Sequence, residues 1–275
     1  MRINHNIQAL NAYRNLAANQ SSISKNLERL SSGLRINRAA DDAAGLAISE
    51  KMRSQIRGLQ MAERNALDAI SLIQTAEGAL NEVHSILQRM RELAVQAANG
   101  TNQDTDREAL DSEFQQLIEE IDRIGKETQF NKMNILAANQ SISIQLGAND
   151  GQTLTMSWKQ QLKTSLGEDE IGISSLDITT VDNAQTAIST LDEAIISVSK
   201  SRSKMGAYQN RLEHTINNLT AATENLTSAE SRIRDTDMAM EMAEFTKNNI
   251  LTQAAQAMLA QSNQLPQGIL QLLKS

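Results

Sequence analysis

The sequence predicts a mainly α-helical fold, an elongated antiparallel bundle or coiled coil of long helices with one small β-hairpin. Only 6 of the 275 residues are aromatic and only one, Pro266, is proline, which favours long, closely packed helices. Apolar residues recur at spacings of three and four along most of the chain, as on one face of a helix. Residues 142–158 instead alternate apolar and polar side chains, which is typical of strands.

The first predicted helix lies within residues 1–34, and its end is marked by Gly33, which can serve as a helix C-cap. Asp41 or Asp42 can then cap the helix that follows. The apolar stripe of the first helix recurs by three and four and consists of Ile3, Ile7, Leu10, Tyr13, Leu16, Gln20, Ile23, Leu27, Leu30 and Leu34.

A second, much longer helix is predicted over residues 44–98, about 80 Å at ~1.5 Å per residue. Thr105 and Glu108 form a capping box for a third helix, which should turn back along the second. The stripe of the long helix includes Ile48, Met52, Ile56 and Leu59 and continues with the coiled-coil spacing of Ile73, Ala76, Leu80, Val83, Leu87, Met90 and Ala94.

The middle of the chain predicts a β-hairpin with its turn at Asn149–Gly151, followed by an irregular segment over residues 160–181. Two triplets alternate with polar residues on either side of that turn: Ile142, Ile144 and Leu146, and Leu154, Met156 and Trp158. This is the only strand pair that the pattern indicates.

The last third is predicted to be helical again, with a strict seven-residue repeat that implies a left-handed supercoil against a partner helix. The repeat consists of Leu191, Val198, Met205, Leu212, Leu219, Leu226, Ile233 and Met240. The tail continues with Leu251, Ala255, Met258, Ser262, Leu265, Ile269 and Leu272. Pro266 lies inside this stripe and is expected to kink or end the helix.

The two ends of the chain both carry amphipathic helices, so we expect them to lie side by side. Full burial of one Leu or Ile contributes ~1.5–3 kcal/mol. One neighbouring helix covers only a narrow seam of each stripe, and the remaining apolar surface needs another molecule to cover it. The periodicity therefore predicts self-assembly.

Composition argues against several other functions. The formal net charge of −7 is atypical of a general nucleic-acid binder, and the basic excess within residues 1–40 has no interleaved aromatic residues for base stacking. No segment approaches the ~20 apolar residues that span a bilayer, so we expect no membrane insertion. The start of the chain lacks the apolar region of a cleavable secretory signal, and cysteine is absent.

No pattern of catalytic residues, metal ligands or cofactor-binding residues is present. His5, His84 and His214 are far apart and lack the spacing of a helical zinc site. Paired carboxylates at 41–42 and 119–120 are interpreted as a helix start and a solvated helix face. We therefore expect no enzyme activity, no metal and no cofactor.

Long stretches also resemble bacterial flagellins, in particular short, Bacillus-like members. The N-terminal resemblance includes "MRINHNIQALNAYRNL" and "SSGLRINRAADDAAGLAISEKMRSQIRGL", and the C-terminal one includes "NRLEHTINNLTAATENLTSAESRIRDTDMAMEMAEFTKNNILTQAAQAMLAQSNQLPQGILQLL". The match covers roughly residues 1–135 and 185–275. Only the hairpin and about twenty irregular residues lie where larger flagellins carry outer domains.

The resemblance implies a subunit of the flagellar filament that is exported unfolded by the flagellar type III apparatus, polymerises beneath a cap and serves swimming motility outside the cell. Implied partners are many copies of itself, an export chaperone, and cap and hook-junction proteins. The family's inner tube, D0, would comprise residues 1–40 and 236–275. The next layer, D1, would comprise helices over 41–135, the hairpin and irregular segment over 136–181, and a helix over 182–235.

The family's inner-tube seam would include Ile3, Ile7, Leu10, Ile23, Leu27, Leu30, Leu251, Ala255, Met258, Leu265, Ile269 and Leu272. In the family these terminal segments are disordered in the free monomer and order on assembly.

Residues 87–96 resemble the segment that Toll-like receptor 5 of a host binds in recognised flagellins. The resemblance implies Gln88, Arg89, Leu93, Gln96 and Glu113 as contacts. A purely structural role is the alternative, with Leu93 facing a neighbouring subunit and Arg89 paired with Glu113 between helices. For the whole chain, the alternative to a filament subunit is a hook–filament junction protein, which also has terminal helices.

Overall fold

The computed structural model describes residues 6–137, 139–158 and 172–274, with side chains at all of these positions except 140 and 265–274. The helices are α1 (Ile7–Ser32), α2 (Ala43–Ala97), α3 (Asp104–Glu127), α4 (Val181–Arg234) and α5 (Met238–Lys274). The strands are β1 (Gln129–Phe130), β2 (Met133–Asn134), β3 (Gln140–Gln145) and β4 (Thr153–Trp158), and a 3-10 turn spans Ile173–Ser175. The predicted mainly α fold is confirmed.

The chain forms two compact units. The first unit contains residues 1–55 and 224–275, and the second contains residues 56–223. Each is held together by its own contacts, and the two differ in the chemistry of the residues they bury.

The second unit has a continuous apolar core that α2, α3, α4 and the β3–β4 hairpin share. All seven predicted residues from Ile73 to Ala94 are buried in it, as are Leu191, Val198, Met205 and Leu212 of the seven-residue repeat. α3 contributes Phe114, Ile118 and Ile121. Here a period of three and four in the sequence predicts the buried faces of α2 and α4 correctly.

The β3–β4 hairpin lies where the alternating pattern predicts it. The strands are antiparallel, with Ile142 opposite Met156 and Ile144 opposite Leu154. Its inner face is buried, and the indole N–H of Trp158 donates to the carbonyl of Ile135 at 2.9 Å. The residues after the hairpin, 159–171, include most of the predicted irregular segment and lie outside the described residues.

The hairpin turn lies closely against α2. A Cβ built at Gly58 would lie 2.7 Å from the Cβ of Ala148, so only glycine allows this approach. Asn65 of α2 also donates its side-chain N–H to the carbonyl of Gln145 at 3.1 Å. These contacts fix the hairpin on the helix from which the second unit is built.

Four local predictions were wrong. α3 begins at Asp104 rather than after Thr105, because the backbone N–H of Gln103 donates to the carboxylate of Asp106 at 3.1 Å and caps the helix earlier. The β1–β2 pair was not predicted; its turn has Asn131 and Lys132 at φ 49° and 64°, a conformation for which Asn-Lys is a weak signal.

The other two errors concern the ends of apolar stripes. Met240 and Ile48 are exposed, because the buried positions of their helices are the neighbouring Glu241 and Ser49. Of the two effects expected of Pro266, a kink or the end of the helix, the second is wrong, because α5 continues to Lys274. Proline removes one backbone donor, and the hydrogen bonds on either side can carry the helix past it.

In the first unit, α1 and α5 pack side by side and antiparallel. The amide of Asn6 donates to the carbonyl of Ser262 at 2.8 Å, and at the other end Arg29 lies 3.6 Å from Glu241. The chain therefore closes on itself near its two ends, as the sequence predicts.

The segment between α1 and α2 pairs with the segment between α4 and α5. Gly33 adopts the left-handed conformation (φ 71°) as the C-cap of α1, and its carbonyl accepts from the N–H of Thr236 at 3.0 Å. The N–H of Arg35 donates to the carbonyl of Arg234 at 2.7 Å. Asp42 caps α2 by accepting from the N–H of Gly45 at 2.9 Å.

Candidate assembly and recognition surfaces

The contact between α1 and α5 is made largely of small and polar residues. On α5, Glu241, Asn248, Ala255 and Ser262 recur every seven residues and face α1, together with Phe245, Thr252 and Leu259. On α1 the facing residues are Ala9, Ala12, Leu16, Asn19, Ile23, Asn26 and Leu30. Of the described large apolar residues in the first unit, only Ile36 is fully buried.

A buried polar cluster fixes the register of this contact. With its amide oriented to satisfy both ends, Asn26 donates to Glu241 at 3.1 Å and to the carbonyl of Ser22 at 2.9 Å. Its oxygen accepts from the side chain of Asn248 and from the N–H of Phe245, both at 3.2 Å. A buried asparagine in a coiled-coil seam selects one register at some cost in stability. The α1–α5 contact is therefore specific rather than strongly adhesive.

The predicted inner-tube residues divide between this contact and the surface. Ile23, Leu30 and Ala255 lie half-buried along the α1–α5 contact, whereas Ile7, Leu10, Leu27, Leu251 and Met258 are exposed. Ile3 and the side chains of Leu265, Ile269 and Leu272 lie outside the described part of the chain. Much of the apolar stripe read from the sequence thus faces away from the partner helix.

The first unit carries most of the exposed large apolar side chains. Of the sixteen such residues in the described part of the chain, eleven belong to this unit. They are Ile7, Leu10, Tyr13, Leu27, Ile48, Met238, Met240, Met242, Ile250, Leu251 and Met258. Contiguous exposed apolar surface on a protein commonly marks an interaction site.

Sequence reasoning missed the polar side of this contact. Asn19 and Asn26 are seven residues apart, as are Glu241 and Asn248, and that spacing was the available signal. The apolar residues alone do not indicate these positions, although apolar periodicity usually identifies the buried face of a helix. In α1 and α5 the polar periodicity completes the buried face, to which Leu16, Ile23 and Leu30 of the apolar stripe also belong.

The predicted receptor residues lie on α2 and α3 in the second unit. Gln88, Arg89, Gln96 and Glu113 are exposed. Leu93 is only 1% exposed and belongs to the core, so its side chain is not on the surface. Arg89 donates through Nε to Glu113 at 3.0 Å and lies 3.3 Å from Glu92.

Hydrogen bonding to Glu113 and then to Glu92 raises the pKa of Arg89, which is positively charged at any physiological pH. The pair is about half exposed on both sides, and such surface pairs contribute ~0–1 kcal/mol. Its geometry therefore agrees with the interhelix ion pair considered above, and it leaves both charges accessible.

The described residues hold no helix long and apolar enough to cross a membrane. They also contain no group of three or more His, Asp or Glu side chains that could hold a metal ion.

Comparisons with known proteins agree with these features. The bacterial flagellin N-terminal helical region matches residues 3–141, and the bacterial flagellin C-terminal helical region matches residues 188–273. The chain belongs to the flagellin family. It is 59% identical to a flagellin of Halalkalibacterium halodurans over 275 residues and 54% identical to one of Bacillus subtilis over 304 aligned positions, each alignment covering both chains completely.

A solved structure, the crystal structure of Bacillus cereus flagellin, is also similar. It is 38% identical, with a TM-score of 0.50, and the match covers 61% of this chain and 94% of that one. The resemblance read from the sequence is therefore confirmed for the family and for the helical fold.

Proposed function

We propose that this chain is the structural subunit of a bacterial flagellar filament, exported unfolded by the flagellar type III apparatus and assembled outside the cell. The observation that carries the proposal is the α1–α5 pair, which turns Ile7, Leu10, Leu251 and Met258 outward although they are apolar. In a filament, neighbouring copies would cover these side chains. The role is structural, and no catalytic residue is proposed.

The proposed layers follow the family's plan. Residues 1–40 and 236–275 would form the inner tube D0, and residues 41–235 would form D1 around it. In support, α1 and α5 contact each other, and the apolar core lies in α2, α3, α4 and the hairpin. Proposed partners are further copies of the chain, an export chaperone, a filament cap and hook-junction proteins.

Deletion of residues 251–275 tests this function. The deletion removes much of α5 and its exposed apolar residues, so we expect no filaments in electron micrographs after salting out or seeding, whereas the full chain forms long filaments. Circular dichroism of the truncated chain should retain the helical signal of the second unit. Filaments that grow from the truncated chain would contradict the proposal.

The same experiment separates the alternative. A hook–filament junction protein would add to existing ends and stop, because its role is to adapt one structure to another. Long filaments grown from the pure, full-length chain would exclude that role.

We also propose recognition by Toll-like receptor 5 through Gln88, Arg89, Gln96 and Glu113, with Leu93 holding α2 in place beneath them. Exposure of these four side chains on neighbouring helices supports the proposal. A receptor could replace Glu113 as the partner of Arg89 at low cost, because an exposed pair is weak.

Arg91 offers a matched control for this second proposal. It lies two residues from Arg89, is exposed to a similar degree (46% against 50%), and forms its own ion pair with Asp192 at 2.7 Å on another side of α2. We expect Arg89→Ala to lower receptor signalling by the purified monomer and Arg91→Ala to leave it nearly unchanged. Equal signalling by wild type and Arg89→Ala, with both folded by circular dichroism, would refute the assignment.

A further inference from the structure

The two broad faces of the α1–α5 pair differ in chemistry. Each residue turns ~100° about a helix axis. In both helices, the residues just before those that face the partner helix therefore lie on one side of the pair, and the residues just after them lie on the other side. We call the first the groove face; it has Gln8, Asn11, Asn15, Met258 and Gln261 around a floor of Ala12, Ala255 and Ser262. The second, the tyrosine face, has Tyr13, Leu27, Met242, Asn249 and Gln256.

We propose that the groove face of one copy receives Tyr13 of the tyrosine face of a neighbouring copy. The inference deepens the proposed filament function and rests on it. It names one contact by which the exposed apolar side chains of the first unit would be covered.

The chemistry of the groove suits a tyrosine. Its floor is formed by Ala12, Ala255 and Ser262, so the depression between the helices is not filled by its own side chains. Met258 is 64% exposed at its edge and offers a sulfur, which packs favourably against aromatic rings. The amides of Gln8 and Asn15 on the rim can exchange hydrogen bonds with a phenolic hydroxyl.

Tyr13 is accessible to such a site, because the residue is 62% exposed. Tyrosine presents a large apolar ring with a polar tip, a combination common at protein interfaces. Covering this ring and the neighbouring Leu10 would remove apolar surface from water, which is favourable.

The absence of charge points to an identical copy as the occupant. Residues 248–273 contain nine Asn or Gln and no Asp, Glu, Lys or Arg, and Arg14 is the one such charged residue between positions 6 and 24. An amide both donates and accepts hydrogen bonds, so surfaces of amides and aliphatic groups can pack on copies of themselves. Charged surfaces on identical copies would instead bring like charges together, which is costly.

The two faces also differ, so the contact is heterologous. A heterologous contact repeats from copy to copy and generates rings or open helical filaments, whereas an isologous contact closes as a dimer. A groove on one face and a tyrosine on the other therefore provide a repeating contact.

Photo-crosslinking tests this contact in assembled filaments. The full chain with Tyr13→p-benzoylphenylalanine would be copolymerised with an excess of isotopically heavy wild-type chain, irradiated and digested with trypsin. Residues 248–274 form one tryptic peptide, because no Lys or Arg lies between Lys247 and Lys274. We expect the light probe on the heavy 248–274 peptide, at Met258 or next to it.

Several results would overturn the contact. They are crosslinks within the light chain only, crosslinks at Asn249 or Gln256 (which lie on the tyrosine face), and crosslinks to peptides of the second unit. The readout uses preparations in which micrographs show filaments. Filaments with the wrong crosslink refute only this contact, whereas failure of the wild-type chain to polymerise refutes the filament function.

Substitutions at Tyr13 give an independent readout. We expect Tyr13→Asp to slow elongation from wild-type seeds at least tenfold, because the groove would have to bury a carboxylate. Tyr13→Phe should retain most of the rate, because the ring remains. Elongation by Tyr13→Asp at the wild-type rate would overturn the proposal.

Discussion

The first and second units pack helices in opposite ways. In the second unit, α2 and α4 bury Leu80, Leu87, Leu191 and Leu212 in one apolar core. In the first unit, α1 and α5 meet through alanines, asparagines and a glutamate beside half-buried apolar residues such as Ile23 and Leu30, and many of their other large apolar side chains, such as Leu251, face outward. The same heptad spacing thus serves a core that is complete within one chain and a contact that is incomplete without neighbours.

This difference separates stability from assembly. Apolar burial within one chain contributes to folding directly, whereas exposed apolar groups contribute only when a partner covers them. Substitutions in the two units should therefore be detected by different measurements.

The strongest test of this contrast compares the same change, Leu→Ala, at one position in each unit. Leu191 is 0% exposed, and Leu191→Ala should lower the free energy of unfolding by about 2–5 kcal/mol, measured by urea denaturation of the monomer. Leu251 is 42% exposed, and Leu251→Ala should change that free energy by about 0.5 kcal/mol or less.

Filament elongation should reverse the order of these two variants. Leu251→Ala should slow elongation, because it removes apolar surface that neighbouring copies would cover. Folded Leu191→Ala, assayed well below its melting temperature, should elongate nearly as wild type. A large loss of monomer stability in Leu251→Ala would show that the first unit is complete in the free chain.

A second test concerns a polar group that the second unit does bury. The side chain of Arg107 donates to the carbonyl of Ala97 at 3.0 Å and to that of Asn99 at 3.3 Å, which secures the end of α2 to the start of α3. Arg107→Ala should cost about 1–3 kcal/mol of unfolding free energy, because the buried carbonyl of Ala97 and the partly buried carbonyl of Asn99 lose a charged donor.

Arg123 is the control for that substitution. It lies on the same helix and pairs with Glu127 at 2.7 Å, but it is 55% exposed. Arg123→Ala should cost less than about 1 kcal/mol, as exposed ion pairs do. Equal losses of unfolding free energy in the two variants would show that the buried hydrogen bonds of Arg107 contribute no more than an exposed ion pair.

The smallest expected effect is the response of the first unit to acid. The backbone N–H groups of Arg38 and Asn37 donate to Asp41 and lower its pKa, and a hydrogen bond from Arg234 lowers the pKa of Glu50. Each folded pKa is below its unfolded value, so the stabilisation is present above about pH 4 and is lost as the pH falls through the folded pKa.

Hydrogen exchange resolved by peptide can measure this response. Exchange in the segment between α1 and α2 should increase on acidification below about pH 4, after correction for intrinsic rates. Asp41→Asn should weaken that pH dependence, because the amide does not titrate. A segment whose protection is constant from neutral pH to pH 3 would exclude a contribution from these carboxylates.

The sequence predicted much of the fold because the second unit follows simple periodicities. Ile73 to Ala94 and Leu191 to Leu212 lie where their spacing indicates, and the alternation of Leu154, Met156 and Trp158 predicted β4. Large apolar side chains carry most of the free energy there, so their pattern is a sufficient guide.

Prediction was weaker where polar groups select the geometry. The facing residues Asn26, Glu241 and Asn248 were not identified, because a buried polar cluster cannot be recognised until its hydrogen-bond partners are known. Leu93 was likewise predicted to be a receptor contact by resemblance, and its burial next to Arg89 was not predicted. In both cases the rotation of the helix about its own axis decides which residues are buried. Spacing shows which residues share a face, but it does not show whether that face is turned inward or outward.

The contact between Asn6 and Ser262 also has a consequence in time. It joins residues 256 positions apart, so the α1–α5 contact cannot be completed during synthesis until nearly the whole chain exists. At about 5–20 residues per second, α1 waits on the order of ten seconds or more for its partner. During that interval α1 is at the N-terminus without its partner α5. It is therefore accessible to any factor that binds nascent polypeptides.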